Sequence, residues 1–229
     1  MNARLPMRLP ALIHRSPSGL LYFVYWAPFI ALYQLANRWH LVTPVQLPFT
    51  ALDRAIPFVP SLLPVYVAYI PLFWWTVWRS EDDRQANRVF YATYLQLFLC
   101  LPFFILFPVE MPRQLFYSAT AYNWADAFWR WFDAPTNCFP SLHVANCALF
   151  IELNWPRRFR WAATLAAAAV IASTVLVKQH YVVDVVAGAV VYLLARWLLE
   201  QVTIAADEPV HAAAATEMSP ASRGSTQRH

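Results

Sequence analysis

Apolar residues occur in six long runs, separated by short segments rich in polar and charged residues. Five runs have about the length that an α-helix needs to cross a bilayer, and one is shorter. The runs lie at Leu20–Ala36, Pro60–Trp78, Val89–Pro108, Ser141–Trp155, Trp161–Val177 and Tyr181–Leu199. Three contain a proline, which neighbouring helices tolerate as a kink in lipid. The pattern predicts an all-α membrane protein, built as a bundle of six transmembrane helices.

The composition supports this class. Of 229 residues, 59% are hydrophobic and 13% are charged, against roughly 45–50% and ~25% in soluble domains. No basic stripe indicates a nucleic-acid partner, so membrane lipids are the expected surroundings. Only three glycines are present, which excludes a glycine-rich nucleotide-binding loop. The three cysteines, Cys100, Cys138 and Cys147, form neither a disulfide framework nor a CxxC metal site.

The basic residues predict the orientation of the bundle. In a six-span arrangement, twelve of the seventeen Lys and Arg residues fall on one side. The other side holds Arg38, Arg54, Arg113, Arg130 and Lys178. The positive-inside rule then places both termini in the cytoplasm, and we expect a bacterial inner membrane. Residues 1–19 are expected to form a cytoplasmic N-terminal segment, 20–202 the six-span membrane domain, and 203–229 a disordered cytoplasmic tail.

The longest outside segment, about Val109 to Pro140, contains a cluster of aromatic residues. Four of them share one helical face: Trp124, Phe128, Trp131 and Phe132. This spacing predicts a short interfacial helix between spans three and four. Two functions fit it, an aromatic belt that anchors the loop and a lid over a substrate entrance.

Ionisable residues at membrane depth are costly, about 2.5–3.5 kcal/mol for an Asp at a helix centre, and therefore indicate function. His180 lies four residues before Asp184, so the two side chains share one face if the last helix begins near Lys178. The carboxylate would fix the imidazole tautomer and leave the other ring nitrogen as a nucleophile or base. An interfacial ion pair without catalytic function would have the same spacing.

A second histidine lies at a predicted helix start. Pro140 and Ser141 indicate the start, and His143 follows in the first turn. The free N–H groups and the positive end of the helix dipole form an anion site, to which the Ser141 hydroxyl adds a donor. His143 and His180 lie at the outer face in this topology. Together they favour a site that handles phosphate.

Two basic residues are candidates for phosphate binding. Lys178 is the only lysine, four residues after Thr174 at the end of the fifth run, and Arg113 follows Pro112. The alternative for Lys178 is a cation that snorkels at a helix end. The alternative for Arg113 is a contact to lipid headgroups.

These residues resemble the type 2 phosphatidic acid phosphatase superfamily of membrane lipid phosphatases and phosphotransferases. The family motif Pro-Ser-Gly-His is followed by Ser-Arg, five residues, His, three residues and Asp. This chain has Pro140-Ser141-Leu142-His143, then Ser173-Thr174, His180, Asp184 and Gly188.

Two departures from the family pattern favour phosphotransfer. Leu142 replaces the glycine and Thr174 replaces the arginine, and both changes are similar to the branch that includes inositol phosphorylceramide synthases. The family's first motif, Lys, six residues and Arg-Pro, is absent, and Pro112-Arg113 is its nearest counterpart.

The resemblance implies a lipid phosphatase or phosphotransferase that acts at the outer face through a phosphohistidine. Its substrate would be a lipid phosphate, either a phospholipid or a polyprenyl phosphate or diphosphate. His180 would attack phosphorus, Asp184 would orient it, and His143 would protonate the leaving alkoxide. The phosphate oxygens would be bound by Ser141, Arg113, Lys178 and Ser173.

Two alternatives remain at this point. The family uses no metal, so we expect no metal and no cofactor, but His143, His180 and Asp184 would also suit a metal. A polytopic transporter could use His and Asp residues as a proton relay. Against the transporter, both histidines lie near one face of the membrane and no inverted repeat is evident. An inactive scaffold would have lost motif residues, which are present here.

Overall fold

The computed structural model describes residues 7–13, 20–78, 80–118, 120–122 and 133–205. The predicted interfacial helix at residues 124–132 and the tail beyond residue 205 lie outside the described residues. The described helices are α1 (Leu20–Arg38), α2 (Ala51–Ala55), α3 (Leu63–Val67), α4 (Tyr69–Trp78), α5 (Asp83–Leu106), α6 (Gln114–Tyr117), α7 (Leu142–Asn154), α8 (Arg160–Leu176) and α9 (Val182–Glu200). This mostly helical structure confirms the all-α class.

The second apolar run, Pro60–Trp78, is not one helix. It contains a 3₁₀ turn at Pro60–Leu62, then α3 and α4, which are separated at Ala68. Pro71 explains the break, because it has no N–H for the carbonyl of Val67 and its ring clashes there. The other five runs each correspond to a single helix.

Strands in the described residues are short and tie loops together. They are β1 (Arg8–Leu9), β2 (Val45–Gln46), β3 (Val109–Glu110) and β4 (Thr203–Ile204). β1 pairs in parallel with β4, and β2 in parallel with β3. Val109 of β3 also forms a bridge to Asn137, in the loop that leads into α7. These pairings gather the ends of α1 and α5 beside the start of α7.

Two helices in the described parts of the chain, α5 and α9, have the length and apolar composition needed to cross a membrane. α8 is apolar but shorter, with 17 residues. Because a buried helix of a soluble protein passes the same test, this gives only weak support for membrane association. The six-span arrangement and its orientation remain predictions.

The short helix α7 lies at the centre of the fold. It packs against α4, α5, α8 and α9, and its Ala145 is fully buried. One core cluster joins Leu142 and Ala145 to Trp26 of α1, Leu97 of α5 and Val191 of α9. Small and apolar residues on most sides of α7 allow this close packing. The N-terminus of α7 is therefore held firmly by its neighbours.

Candidate active site

His180 lies in the loop before α9, and both of its ring nitrogens have partners. Nδ1 is 2.9 Å from the carbonyl oxygen of Cys138 and 3.3 Å from Oδ2 of Asp184. Both partners accept hydrogen bonds, so we assign the proton to Nδ1. Nε2 then keeps its lone pair, and it lies 3.3 Å from Oγ of Ser141. The predicted contact of His180 with Asp184 is present.

The helix that carries Asp184 begins later than the sequence indicated. α9 starts at Val182 and not near Lys178. The Tyr181 N–H donates to Oδ2 of Asp184 over 2.9 Å, as in a capping box. Asp184 therefore caps α9 and contacts His180 with the same oxygen. Its other oxygen, Oδ1, is buried and has no hydrogen-bond partner among the described residues.

The turn between α8 and α9 brings His180 back toward Asp184. The carbonyl of Thr174 accepts hydrogen bonds from the N–H groups of Gln179 at 2.9 Å and His180 at 3.0 Å. Lys178 has a φ of 51°, a left-handed conformation that costs a non-glycine residue roughly 1–2 kcal/mol. The hydrogen bonds on either side of Lys178 hold this turn in place.

The side chain of Lys178 binds to the loop around α2. Its Nζ donates to the carbonyl oxygens of Asp53 at 2.9 Å and Ile56 at 2.7 Å. Burial lowers the pKa of Lys178, and the charge of Asp53 opposes this effect. Two of the three ammonium donors are therefore engaged by backbone carbonyls. The described contacts of Lys178 are thus structural, and phosphate binding by Lys178 stays a prediction.

Asp53 is a supporting residue that the sequence analysis missed. Its Oδ1 accepts the N–H of Val182 at 2.8 Å, and its Oδ2 accepts the N–H of Thr50 at 2.8 Å. Burial opposes ionisation, but hydrogen bonds from Thr50 and Val182 and the Lys178 charge lower the pKa of Asp53 below its usual value. A charged carboxylate at the start of α9 suits the helix dipole. Thr50 and Asp53 have capping-box spacing, but nothing in the sequence links them to α9.

Ser141 joins the starts of α7 and α9. Its Oγ accepts the N–H of Val144 at 3.4 Å and so caps α7. Its own N–H donates to the carbonyl of Asp184 at 3.1 Å. Its carbonyl packs against Gly188, where an added Cβ would overlap it. The first-turn N–H groups of α7 have no acceptor inside the helix, so this contact places an anion site beside Nε2 of His180.

His143 lies in the first turn of α7, with its ring centroid 5.6 Å from that of His180. The two histidines therefore meet, as the sequence predicted. The His143 ring packs against Tyr66 of α3 at 4.8 Å and Tyr69 of α4 at 4.5 Å. The sequence analysis missed both tyrosines. Their spacing of three residues in an apolar run is a weak signal for a shared helical face.

Arg113 is buried beside the loop before α7 and is held by Asp133. Its Nη1 donates to the Asp133 carbonyl at 2.8 Å, and its Nη2 is 4.0 Å from Oδ2 of Asp133. Its Nε is buried without a hydrogen-bond partner in the described part of the chain. Burial raises the pKa of the Cys138 thiol, the Asp184 charge adds to this rise, and the Arg113 charge opposes it. Arg113 therefore lies within electrostatic range of the site, and its role as phosphate ligand stays a prediction.

Ser173, the fourth predicted phosphate ligand, is fully buried in α8. Its hydroxyl donates to the carbonyl of Val170 at 2.6 Å, inside its own helix. The hydroxyl proton is therefore engaged locally, and a contact with phosphate stays a prediction.

One group of side chains in the described residues has the spacing of metal ligands. Sγ of Cys138, a ring nitrogen of His180 and a carboxylate oxygen of Asp184 lie within 4.8 Å of one another. The Cys138 thiol lies 3.2 Å from the carbonyl of Pro135, to which it donates, and burial raises the pKa of this thiol. Metals bind the thiolate, so a metal here would have to displace the thiol proton. In the described structure the three residues form a hydrogen-bonded cluster.

Comparison with known proteins identifies the family. No curated protein and no solved structure matches the chain. A family model described as the PAP2 superfamily matches residues 30–198, a region that contains His143, His180 and Asp184. This match spans well over half of the 229 residues, so the chain belongs to the PAP2 superfamily, a membership that supports a phosphatase-type function.

Proposed function

We propose that the protein is an integral membrane lipid phosphatase or phosphotransferase that forms a phosphohistidine on His180. One observation supports this most strongly. Nε2 of His180 faces the Ser141 hydroxyl and the N-terminus of α7, while Nδ1 is fixed by the Cys138 carbonyl and Asp184. This arrangement combines an unprotonated nucleophile with an adjacent anion site.

In the first step, the lone pair of Nε2 attacks phosphorus, and the bond from phosphorus to the leaving alcohol oxygen breaks. The His180 ring becomes positively charged. Its Nδ1–H donates to the Cys138 carbonyl and Asp184, and the negative charge of Asp184 stabilises the cation. The product is a phosphohistidine and a lipid alkoxide, which needs a proton.

The phosphoryl oxygens lie at the start of α7 during this step. The first-turn N–H groups of α7 and the Ser141 hydroxyl, which turns from Nε2 to the phosphate, donate hydrogen bonds to them. The positive end of the helix dipole adds to this stabilisation. Fixed donors of this kind dominate phosphoryl transfer. Arg113 contributes charge from the side of the Asp133 loop.

His143 supplies the proton to the leaving oxygen and then acts as a base. Its ring lies beside that of His180 and is held by Tyr66 and Tyr69. Once deprotonated, His143 removes a proton from the second nucleophile, which attacks the phosphohistidine. Water gives hydrolysis, and an alcohol gives transfer. Leu142 and Thr174, where the resemblance expects glycine and arginine, favour transfer.

The proposal includes the membrane arrangement expected from the sequence. Six spans cross a bacterial inner membrane, both termini are cytoplasmic, and the site faces the periplasm or exterior. The substrate is a lipid phosphate, a phospholipid or a polyprenyl phosphate or diphosphate, whose phosphate lies at the membrane interface.

The test separates the two histidines, because they act at different steps. Purified variants are mixed with labelled substrate, quenched rapidly, and assayed for acid-labile phosphate on the protein. His180→Ala should trap none from any substrate. His143→Ala should trap none from an alkyl phosphate, whose leaving group needs a proton, but should trap phosphate from an aryl phosphate with a low-pKa phenol. General acid catalysis contributes about 10²–10⁴ in rate.

Two results would contradict the proposal. If His180→Ala traps phosphate and His143→Ala traps none from either substrate, the roles are reversed. If both variants trap it, the nucleophile is another residue.

A further inference from the structure

A pocket of about 190 Å³ opens on the His143 side of the site. Its walls come from α1, α3 and α4, and include Trp26, Phe29, Tyr66 and Phe73. His143 is part of its lining, whereas His180 and Ser141 are not. The pocket therefore meets the site at the residue to which we assign the leaving-group proton.

We infer that this pocket holds the leaving alcohol, and that this alcohol is a single apolar chain, such as a prenyl or other long-chain monoalcohol, and not a diacylglycerol. The inference rests on the proposed function. His143 must lie within hydrogen-bond reach of the leaving oxygen, so the carbon atoms attached to that oxygen lie on the His143 side of the phosphorus. This pocket, which His143 lines, is a space in the described part of the chain that can take them.

The size of the pocket favours one chain. Its lining on α1 runs from Trp26 to Gln34, which is slightly more than two helical turns or roughly 12 Å. A cavity of about 150 Å³ holds a benzene molecule, so this pocket takes the first carbons of one chain and little more. The two acyl arms of a diacylglycerol separate within a few atoms of the phosphate and need a wider space.

The walls are mostly hydrocarbon and aromatic. The Tyr33 hydroxyl donates to Oδ1 of Asp133 at 2.9 Å, and the Tyr69 hydroxyl accepts from Asn146 at 2.8 Å, so other residues hold both tyrosine side chains in place. A hydrocarbon chain gains from contact with aromatic walls, whereas each polar group of a substrate that is buried without a partner is costly.

The pocket has an apolar rim through which a chain could leave. Ile30 of α1 and Ile70 of α4 both line it, and they are 49% and 37% exposed. In the proposed bilayer, these side chains lie among lipid tails. A chain longer than the pocket would pass between α1 and α4 into the hydrocarbon, which requires no polar group along its length.

The test compares three substrates by kcat/KM with the purified protein: farnesyl phosphate, dioleoyl phosphatidic acid and acetyl phosphate. Acetyl phosphate has no apolar chain, and its leaving group needs no proton. We expect farnesyl phosphate to exceed phosphatidic acid at least about tenfold, the scale on which an apolar pocket discriminates between substrates. The His180→Ala protein gives the background for each substrate.

Variants then narrow the pocket. Ile70→Trp and the milder Ile70→Phe should lower kcat/KM for farnesyl phosphate roughly tenfold. The kcat/KM for acetyl phosphate should stay within about twofold of the parental value, because the phosphate site is unchanged. Leu165→Trp is the matched control, since Leu165 lies on α8, is 71% exposed and does not line the pocket. Leu165→Trp should leave kcat/KM unchanged for both substrates.

The outcomes distinguish the inference from the proposed function. Two results would overturn the single-chain pocket but not the proposed phosphatase. One is a kcat/KM for phosphatidic acid as high as that for farnesyl phosphate. The other is a loss of kcat/KM in both Ile70 variants that is as large for acetyl phosphate as for farnesyl phosphate. No His180-dependent phosphate release from any of the three substrates would overturn the proposed function itself.

Discussion

Replacing Gly188 with alanine tests the contact between α7 and α9, because it adds one methyl group away from the reacting atoms. An ideal Cβ on Gly188 would lie closer to the Ser141 carbonyl oxygen than the 3.0 Å that real Cβ atoms respect, and 3.0 Å from Cβ of Val144. The obstructing oxygen belongs to the backbone and cannot rotate away. The start of α7, with Ser141 and His143, must therefore move relative to α9.

Two effects of opposite sign decide the result. Alanine favours a helix interior over glycine by ~0.8–1.0 kcal/mol, so propensity alone would stabilise the protein. Overpacking costs about 1–3 kcal/mol. An ordinary contact begins at 3.4 Å, so relief needs a shift on the order of 1 Å, and such a misplacement costs a catalytic site roughly 100-fold in rate. We expect Gly188→Ala to lower kcat about 100-fold without a gain in stability.

The assay measures phosphate release and thermal unfolding of the purified variant in detergent. Ala189→Val is the matched control, since Ala189 is the next residue of α9 and is exposed; it should keep the parental kcat. Gly188→Ser should lose at least as much activity as Gly188→Ala. A Gly188→Ala protein with parental kcat and a higher unfolding temperature would refute the reasoning, because propensity would then have outweighed packing.

Three further predictions concern the support of the site. Asp53→Asn should unfold more easily than the parent at pH 7. Because the pKa of Asp53 is lowered from 3.8, its stabilisation is present above pH 3.8 and is lost as the pH falls through the lowered pKa. The difference in unfolding temperature between parent and variant should therefore shrink as the pH falls below 3.8. Tyr69→Leu should slow alkyl phosphates about tenfold, less than the full loss of a general acid, because it removes the ring that packs against His143. It should spare acetyl phosphate, whose leaving group needs no proton. Tyr69→Phe loses the hydrogen bond to Asn146 but keeps the ring contact, so it should retain activity on both substrates; equal loss on both in Tyr69→Leu would contradict this. Activity should persist in excess EDTA, and abolition with rescue by one divalent ion would make His180 and Asp184 metal ligands.

Local patterns in the sequence were enough to predict most helices and the meeting of the two histidines. The runs that became α1, α5 and α9 are long and apolar, which is the strongest signal that a single sequence carries. The contact between His180 and Asp184 is present although α9 begins at Val182, after His180, and not near Lys178 as expected. The reason is that the turn before α9, held by the Thr174 carbonyl, brings His180 toward Asp184 in place of a helical turn.

Contacts between distant segments were not predictable in the same way. Asp53 and Val182 are 129 residues apart, and no periodicity relates α2 to α9. The contacts of Lys178 are a second example. The sequence predicts Lys178 as a phosphate ligand, which stays a prediction, but it gave no sign of the left-handed turn at Lys178 or of the hydrogen bonds from its ammonium group to the carbonyls of Asp53 and Ile56.

The two acceptors at Nδ1 of His180 would act differently before and after the phosphorylation that we propose. In the structure, the shorter contact of Nδ1, 2.9 Å, is to the uncharged Cys138 carbonyl, while Asp184 lies at 3.3 Å. In the proposed phosphohistidine the ring carries positive charge, and attraction to a buried carboxylate grows far more than attraction to a carbonyl. The Tyr181 N–H holds Asp184 in place beforehand. In the proposed mechanism, the stabilisation by Asp184 would therefore be greatest as the new bond forms, which is the condition for an interaction to raise kcat and not only to tighten binding.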